Sequence, residues 1–342
     1  MPDEDLGHSA GPGCGYGRDG VVSIQMMMPS LNRRARPWHV ATWLLVALAF
    51  DTAQAFAQSV DIIPSLRAGD AFQLEVIRIR ENSAQPQQNN RGRTLIDVRV
   101  ISASTEGFVI EWVPGATILN NPLAAQNPLL GVDSQALRDI RFRLNLSADG
   151  ELQGMANQAE VAPKLKTVVD AIVRDLSVKI PEAQRKAFLD FVGQILSVDL
   201  LIASATRDAA TYFGLNGATL SAGDEVEVDL EQPNPLGGEP IPASLYVRMD
   251  SATADSASLK TKTTYDATSL MRLTESLAKR AGAPIPPEEL AKLPAIEMAD
   301  EGTYIFDRKV GLMREVKVNR RVGVGPNRRL DAWEIRLLSG PR

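Results

Sequence analysis

The chain has 342 residues, a formal net charge of −5, and 44% hydrophobic, 23% charged and 5% aromatic residues. This composition is that of an ordinary globular protein and excludes collagen-like, disulfide-scaffold and fully disordered classes. His8, His39 and Cys14 all lie before residue 40, so residues 58–342 contain neither histidine nor cysteine.

Residues 26–57 have the three parts of a secretory signal peptide. Arg33, Arg34 and Arg36 precede the uncharged apolar run 40–50, and small residues follow up to Ala57. The run is too short to cross ~30 Å of hydrocarbon, which takes about 20 helical residues. The sequence therefore predicts Sec-type export to the periplasm or beyond, cleavage after Ala57 or two residues earlier, and no stable transmembrane span. The arginine pair leaves twin-arginine export as an alternative.

The glycine-rich segment 1–25 precedes three consecutive methionines at 26–28. We interpret this segment as a non-native or disordered extension, with translation starting at one of these methionines. The alternative is a long but genuine N-terminal region of the signal peptide. The working protein is then expected to be a single α+β domain over residues 58–342.

Alternating residues predict strands in the first third of this domain. Phe72, Leu74 and Val76 alternate with polar residues, which is the period of a sheet with one buried face. The polar stretch 81–93 predicts an exposed loop, and the segments 95–101 and 108–113 predict a hairpin. A strand over 142–146 leads to Asp149-Gly150, a strong turn signal.

The stretch 114–132 is the most informative loop, because it is apolar without a helical or strand period. Its apolar side chains are Ile118, Leu119, Leu123, Leu129, Leu130 and Val132. Apolar residues in a long loop must be covered, so they either close the edge of the core or act as a lid on an apolar cavity. Trp112 lies just before the loop. We therefore predict ligand contacts at Trp112 and at the loop isoleucine and leucines.

A helical insert is predicted over 159–214. Apolar residues recur at threes and fours over 159–176, a second apolar face spans 188–196, and a third helix ends at Gly214. These faces are either plain core or the lining of a pocket. The candidate ligand contacts here are Val168, Ile172, Phe188 and Phe191.

Strands are predicted again over 226–230, 245–249 and 259–263, and a helix over about 268–279. A proline-rich loop and strands at 304–306, 312–318 and 333–338 complete the chain. The predicted fold class is α+β, with antiparallel sheets around the central helical insert. The sheets form either one large curved sheet or two facing sheets.

Charges are segregated along the later strands. Four acids alternate with apolar residues on one strand, at Glu225, Glu227, Asp229 and Glu231. Same-face positions are ~6.6 Å apart on a strand, so we prefer a solvated outer face to a calcium ladder. The segment 308–342 is basic, and cross-strand ion pairs would form if these strands were neighbours. Its hairpin arginines are either solubilising or a patch for anionic headgroups; they are Arg320, Arg321, Arg328 and Arg329.

Two parts of the chain echo each other. Ala68-Gly69-Asp70 opens the first strand, and Ala222-Gly223-Asp224 opens the strand after the helices; a hairpin follows each. The echo predicts two β units, 60–158 and 217–338, around the helices of 159–214. Coincidence is the alternative, because Gly-Asp is a common turn dipeptide.

The layout resembles that of uncharacterised secreted bacterial envelope proteins. It combines cysteine-free strands, a helical middle, a strand over 304–307 and a turn at Gly311. Some of those proteins resemble the half-barrel of the lipoprotein-carrier (LolA/LolB-like) proteins, which implies a curved antiparallel sheet that holds acyl chains beneath helices. This chain departs from the carriers by beginning with a strand directly after the leader and by its apparent duplication.

The processed chain cannot use most familiar catalytic groups. A Ser-His-Asp triad, a thiolate nucleophile and His- or Cys-ligated zinc or haem are excluded. Carboxylate pairs remain, but candidates such as Asp300-Glu301 are adjacent and point to opposite faces of a strand. We expect no catalytic residue, no metal and no cofactor.

The predicted function is therefore non-catalytic binding. The ligand is expected to be a lipid or another amphiphile of the cell envelope. The first alternative is an assembly module that binds another envelope protein through a sheet edge, and the second is a carboxylate-dependent hydrolase. The near-neutral charge argues against a nucleic-acid partner.

Overall fold

A computed structural model describes residues 59–121, 140–177, 198–232, 240–280, 286–290, 296–324 and 327–341, together with positions 181, 182, 185 and 189. The strands before the helices are β1 (Val60–Asp61), β2 (Ala71–Asn82), β3 (Asn90–Ser104), β4 (Gly107–Pro114), β5 (Ile118–Leu119), β6 (Phe142–Ser147) and β7 (Leu152–Met155). Those that follow are β8 (Thr219–Leu220), β9 (Glu225–Gln232), β10 (Ile241–Ala252), β11 (Ser256–Tyr265), β12 (Ile296–Asp307), β13 (Leu312–Val324) and β14 (Asn327–Ser339). The helices are α1 (Gln158–Ser177), α2 (Val198–Phe213), α3 (Ala267–Arg280) and α4 (Pro287–Leu290), with a 3-10 turn at Pro86–Gln88.

One antiparallel sheet of 12 strands dominates the fold. Its order is β7-β6-β4-β3-β2-β14-β13-β12-β11-β10-β9, with β5 beside β3, and β1 and β8 form a separate two-stranded sheet. The pairing of β2 with β14 joins the first and last long strands of the chain. The predicted α+β class with antiparallel sheets is confirmed, in the form of one large sheet and one small one.

Most predicted elements are present where the sequence placed them. The strand alternation and the helices over 159–176, 200–213 and 268–279 agree with the structure. The predicted helix over 188–196 lies outside the described residues except at position 189. The expected loop over 81–93 is wrong at both ends, because β2 runs to Asn82 and β3 begins at Asn90. Polar residues there occupy strand positions that face solvent. Among the described helices, none has the length and apolarity to span a membrane.

Helices cover one face of the large sheet, which we call the inner face. The core there combines strand residues such as Leu74 and Ile335 with Leu165 of α1 and Phe213 of α2. Phe213 packs edge-on against Trp112 of β4, with ring centroids 6.4 Å apart. Helix α3 contacts β10 and β12.

The two echoed strand openings have the same geometry. The Gly69 amide donates to the Val100 carbonyl at 2.9 Å, and the Gly223 amide donates to the Met249 carbonyl at 2.8 Å. Both glycines have positive φ, 94° and 89°, which L side chains rarely adopt. The two strand openings thus share their turn conformation and their hydrogen bond as well as their sequence.

The equivalence continues along the sheet. A bulge interrupts the pairing of β3 with β4 after Val100, and another interrupts that of β10 with β11 after Met249. The strands β2, β3, β4, β6 and β7 are neighbours in that order, and so are β9, β10, β11, β12 and β13. β2 and β9 therefore each stand at one end of a run of five neighbouring strands, but β2 has β14 on its other side.

Candidate functional site

A row of charged residues crosses the sheet over four adjacent strands. Arg80 on β2 faces Asp331 on β14, Asp331 faces Arg320 on β13, and Arg320 faces Asp300 on β12. Residues that face each other across a strand pair project to the same side. The signs alternate along this row, so each charge has opposite charges beside it.

The charged row lies on the inner face. On β13, Arg320 is four residues beyond the fully buried Val316, so both side chains project to one side of the strand. On β14, Asp331 has the same relation to the buried Ile335. Charged side chains on the helix-covered face of a sheet are unusual, since isolated charges are costly to bury.

Arg320 is the centre of a closed hydrogen-bonded group. Its Nε donates to Asp300 Oδ1 at 2.8 Å and its Nη2 to Asp300 Oδ2 at 2.6 Å. The Tyr265 hydroxyl donates to Asp300 Oδ2 at 2.7 Å and accepts from Arg320 Nη2 at 3.0 Å. The guanidinium also lies 5.8 Å from the ring centroid of Tyr265 and 5.7 Å from that of Trp333. We call Arg320, Asp300, Tyr265 and Trp333 the Arg320 cluster.

Burial shapes the ionisation of this cluster. It raises the pKa of Tyr265 well above the ordinary value, and the carboxylate of Asp300 adds to this effect. Burial alone would lower the pKa of Arg320, but the hydrogen bonds and charge of Asp300 outweigh it and raise this pKa overall. At neutral pH Tyr265 is therefore a neutral donor and Arg320 a cation.

A second group of charges extends the row towards α2. Asp331 accepts from Arg80 Nε at 2.9 Å and contacts Arg329 Nη2 at 2.7 Å. On β2, two residues before Arg80, Arg78 Nη2 contacts Asp208 Oδ2 of α2 at 2.7 Å. Asp208 is only 3% exposed. This ion pair ties α2 to the inner face beside the Arg320 cluster.

An apolar strip lies on the inner face at the other end of the sheet. It consists of half-buried side chains on β9 and β10, which we call the apolar stripe: Val226, Val228, Leu230 and Leu245. Leu245 faces Thr263 of β11, which faces Asp300 of the Arg320 cluster. With strands ~4.8 Å apart, the apolar stripe begins ~10 Å from the charged row.

An open groove lies at this end of the sheet. Its volume is about 600 Å³, and its lining residues come from β9, β10 and the end of β11. Asp229, Glu231 and Ser244, which share the outer face, are among them. The groove therefore lies beside the outer acids of β9.

The predicted ligand contacts that the structure describes differ widely in exposure and lie on different elements. Trp112 is fully buried in the core, whereas Ile118 on β5 is 66% exposed. Leu119 and Val168 are half-buried, on β5 and α1. Outside the described residues lie Leu123, Leu129, Leu130, Phe188 and Phe191, the side chain of Ile172 and the expected cleavage site at Ala57. Binding at these residues stays a prediction.

The four arginines of the predicted headgroup patch lie on two faces. Arg320 and Arg329 project to the inner face, and Arg321 and Arg328 project to the outer face. Arg321 contacts Glu301 at 2.7 Å, and Arg328 contacts Glu297 at 3.2 Å. Both, with Arg329, line a second groove of about 370 Å³. Headgroup binding also stays a prediction, and each of these cations has an acidic partner.

The acidic strand β9 is not a neighbour of the basic C-terminal strands. Its four acids are exposed, as expected, but it pairs with β10, while β13 and β14 lie in the middle of the sheet. The condition for cross-strand ion pairs between β9 and those strands is therefore not met, because β14 pairs with β2 and β13. Within the described ranges, no group of three or more acidic, histidine or cysteine residues is placed to hold a metal.

Comparison with known proteins leaves the family open. No family model and no curated protein matches the chain. A structure of lipovitellin that concerns lipid–protein interactions aligns with 6% identity over 81% of this chain and 26% of its own, with a TM-score of 0.38. A porin-like protein from Bacteroides uniformis aligns with 8% identity over 78% of this chain and 96% of its own, with a TM-score of 0.17. The chain thus spans about a quarter of the lipovitellin chain, and neither score establishes a common fold.

Proposed function

We propose that this chain binds an amphiphilic ligand on the inner face of the large sheet and carries or senses it without catalysis. The apolar part of the ligand lies along the apolar stripe, and its polar end lies beside the Arg320 cluster. The observation that carries the proposal is the position of inward-facing charges within ~10 Å of half-buried apolar residues.

The Arg320 cluster is suited to a polar end that accepts hydrogen bonds. The Arg320 side chain is 32% exposed although it is hydrogen-bonded to Asp300, so part of the side chain is accessible. Its planar donor set suits carboxylate or phosphate oxygens. Trp333 and Tyr265 flank it with aromatic surface on which an adjoining chain can pack.

The residues present favour binding over reaction. After removal of the predicted leader, no imidazole or thiol remains, and the acids Asp300 and Asp331 are both held by arginines. Export by that leader would place the protein in the periplasm or outside the cell, where an amphiphile of the envelope is available. Leader processing and location are part of this proposal.

Binding is tested with 11-(dansylamino)undecanoic acid, a fluorescent fatty acid, added to the processed protein. We expect saturable binding that Val228→Ser weakens about tenfold, because loss of apolar contact on this side chain is worth about 1–1.5 kcal/mol. Glu227→Ser is the matched control on the same strand, since Glu227 is exposed on the other face. Non-saturable binding, or equal affinity in both variants, would overturn the proposal.

A second readout tests which tryptophan lies near the bound probe, whose dansyl group is at the end opposite the carboxylate. Trp112 and Trp333 are the only tryptophans after residue 57, and Trp333 flanks Arg320. Energy transfer from tryptophan to the dansyl group should be lost in Trp333→Phe and retained in Trp112→Phe. The opposite result would place the ligand near the core of β4 and refute the assigned site.

A further inference from the structure

Strand β9 presents an open backbone edge. In the part of the sheet that the structure describes, β9 pairs with β10 alone and stands at the end of the strand order. The hydrogen bond from the Met249 amide to the Asp224 carbonyl sets the alternation along this pair. Glu225, Glu227 and Asp229 consequently direct their amide and carbonyl groups away from β10, into the free side of the strand.

The equivalent strand β2 shows what this position accepts. Counted from the equivalent openings at Asp70 and Asp224, Asp229 corresponds to Glu75. Glu75 faces Arg336 of β14, and the Arg336 Nη1 to Glu75 Oε2 distance is 3.9 Å. The neighbouring inner-face residue of β2, Leu74, faces Leu337 of β14. At this position the neighbour of β2 thus places a basic outer residue beside an apolar inner one.

Charge complementarity specifies the same partner for β9. Its outer face carries only acids, all exposed, and its inner face carries the valines and leucine of the apolar stripe. Two copies of β9 paired antiparallel would place acids opposite acids, which is unfavourable. The charges therefore disfavour a second copy of this edge and favour a strand with alternating basic and apolar residues.

We propose that β9 binds an extended segment of a partner protein as an additional strand. The segment has Lys or Arg at alternate positions, aligned with the acids of β9, and apolar residues between them that extend the apolar stripe. The groove of about 600 Å³ over Asp229 and Glu231 gives its side chains space beside the strand. Main-chain hydrogen bonds supply affinity, and the alternating pattern supplies specificity.

The test uses a labelled twelve-residue peptide that alternates Lys with Val, and a matched peptide that alternates Glu with Val. Fluorescence anisotropy should show saturable binding of the basic peptide, at least tenfold tighter than the acidic one at low salt. Higher salt should weaken this binding severalfold, because the ion pairs are exposed. Equal binding of both peptides, or none, would overturn the proposal.

A proline substitution separates strand pairing from simple charge attraction. Glu227→Pro removes an edge-facing amide and one charge, whereas Glu227→Ala removes the same charge alone. We expect the proline variant to lose at least tenfold in peptide affinity and the alanine variant only two- to threefold. Equal losses would show electrostatic adsorption without an added strand and refute the inference. Circular dichroism and a cooperative urea unfolding transition confirm that the proline variant is folded.

The two proposals fail separately. The fatty-acid site uses the inner face, and the peptide site uses the backbone edge and the outer acids of β9. Sedimentation of the protein alone provides one further check. A dimer that Glu227→Pro dissociates would show that the edge is occupied by a second copy and would overturn the assignment to a basic partner.

Discussion

Replacing Tyr212 by phenylalanine removes one hydroxyl group between α2 and the large sheet. The side chain is fully buried, and its hydroxyl donates to the Met313 carbonyl at 2.7 Å. At neutral pH we expect Tyr212→Phe to lower the free energy of unfolding by about 1–2 kcal/mol, because a buried carbonyl loses its partner. Burial also raises the pKa of Tyr212 far above its usual value.

The pH dependence follows from that raised pKa. Below about pH 10 both the folded and the unfolded protein keep the phenolic proton, so the stabilisation is fully present. Above about pH 10 the unfolded chain releases this proton while the folded protein retains it, so stability is lost by about 1.4 kcal/mol per pH unit. The phenylalanine variant lacks this loss. Its stability should therefore equal that of the wild type near pH 11 and exceed it above.

Urea unfolding at pH 8 to 11, followed by circular dichroism, measures this difference. The other tyrosines and the lysines titrate in both proteins, so their effects cancel when the two free energies are subtracted. Equal slopes of the unfolding free energy against urea concentration would show that both proteins expose the same surface area on unfolding. A stability difference that stays constant from pH 8 to pH 11 would refute the buried, hydrogen-bonded Tyr212.

Two further substitutions test the packing around the site. Asp208→Asn should lower the free energy of unfolding, measured in urea, by about 2–3 kcal/mol. This is below the usual range for a fully buried ion pair because Arg78 is partly exposed. Adding Arg78→Met should lower it little further, and additive losses would contradict the ion pair. Gly150→Ala should cost at least about 3 kcal/mol, since φ is 83° and a Cβ would lie 2.3 Å from Pro64 Cγ. Gly69→Ala should cost only about 1 kcal/mol, because φ is 94° but no atom lies within 4 Å of the added Cβ. Equal losses of stability in the two glycine variants would count against the close contact between Gly150 and Pro64.

Local features of the sequence were sufficient for the strands, the helices and several turns. Alternation in β2 and the glycines at 69 and 223 depend on neighbouring residues only, so they can be predicted without knowledge of the fold. The pairing of β2 with β14 was not predicted. Periodicity reports which face a side chain occupies, but it carries no information about which distant strand lies beside it.

The Arg320 cluster shows the same limit at the level of the site. Arg320 and Arg321 were predicted together as parts of one headgroup patch, but strand alternation sends them to opposite faces, as the sequence predicted for Asp300 and Glu301. The sequence did indicate the face of each side chain, because Arg320 lies an even number of residues from the buried Val316, and Asp300 from the buried Tyr304. The contact between Arg320 and Asp300 still required the register of β12 and β13, which the sequence does not specify.

The inward charges also bear on why the site exists. Replacing a buried ion pair by apolar residues of similar size is often neutral or stabilising, so stability alone gives little reason to place Arg320 and Asp300 on the inner face. Their hydrogen bonds hold the guanidinium in one orientation beside Trp333 and leave the Arg320 side chain partly exposed. That arrangement has a purpose if a polar group of a ligand lies against it. Ligand affinity, more than unfolding free energy, is then the quantity that the Arg320 cluster controls.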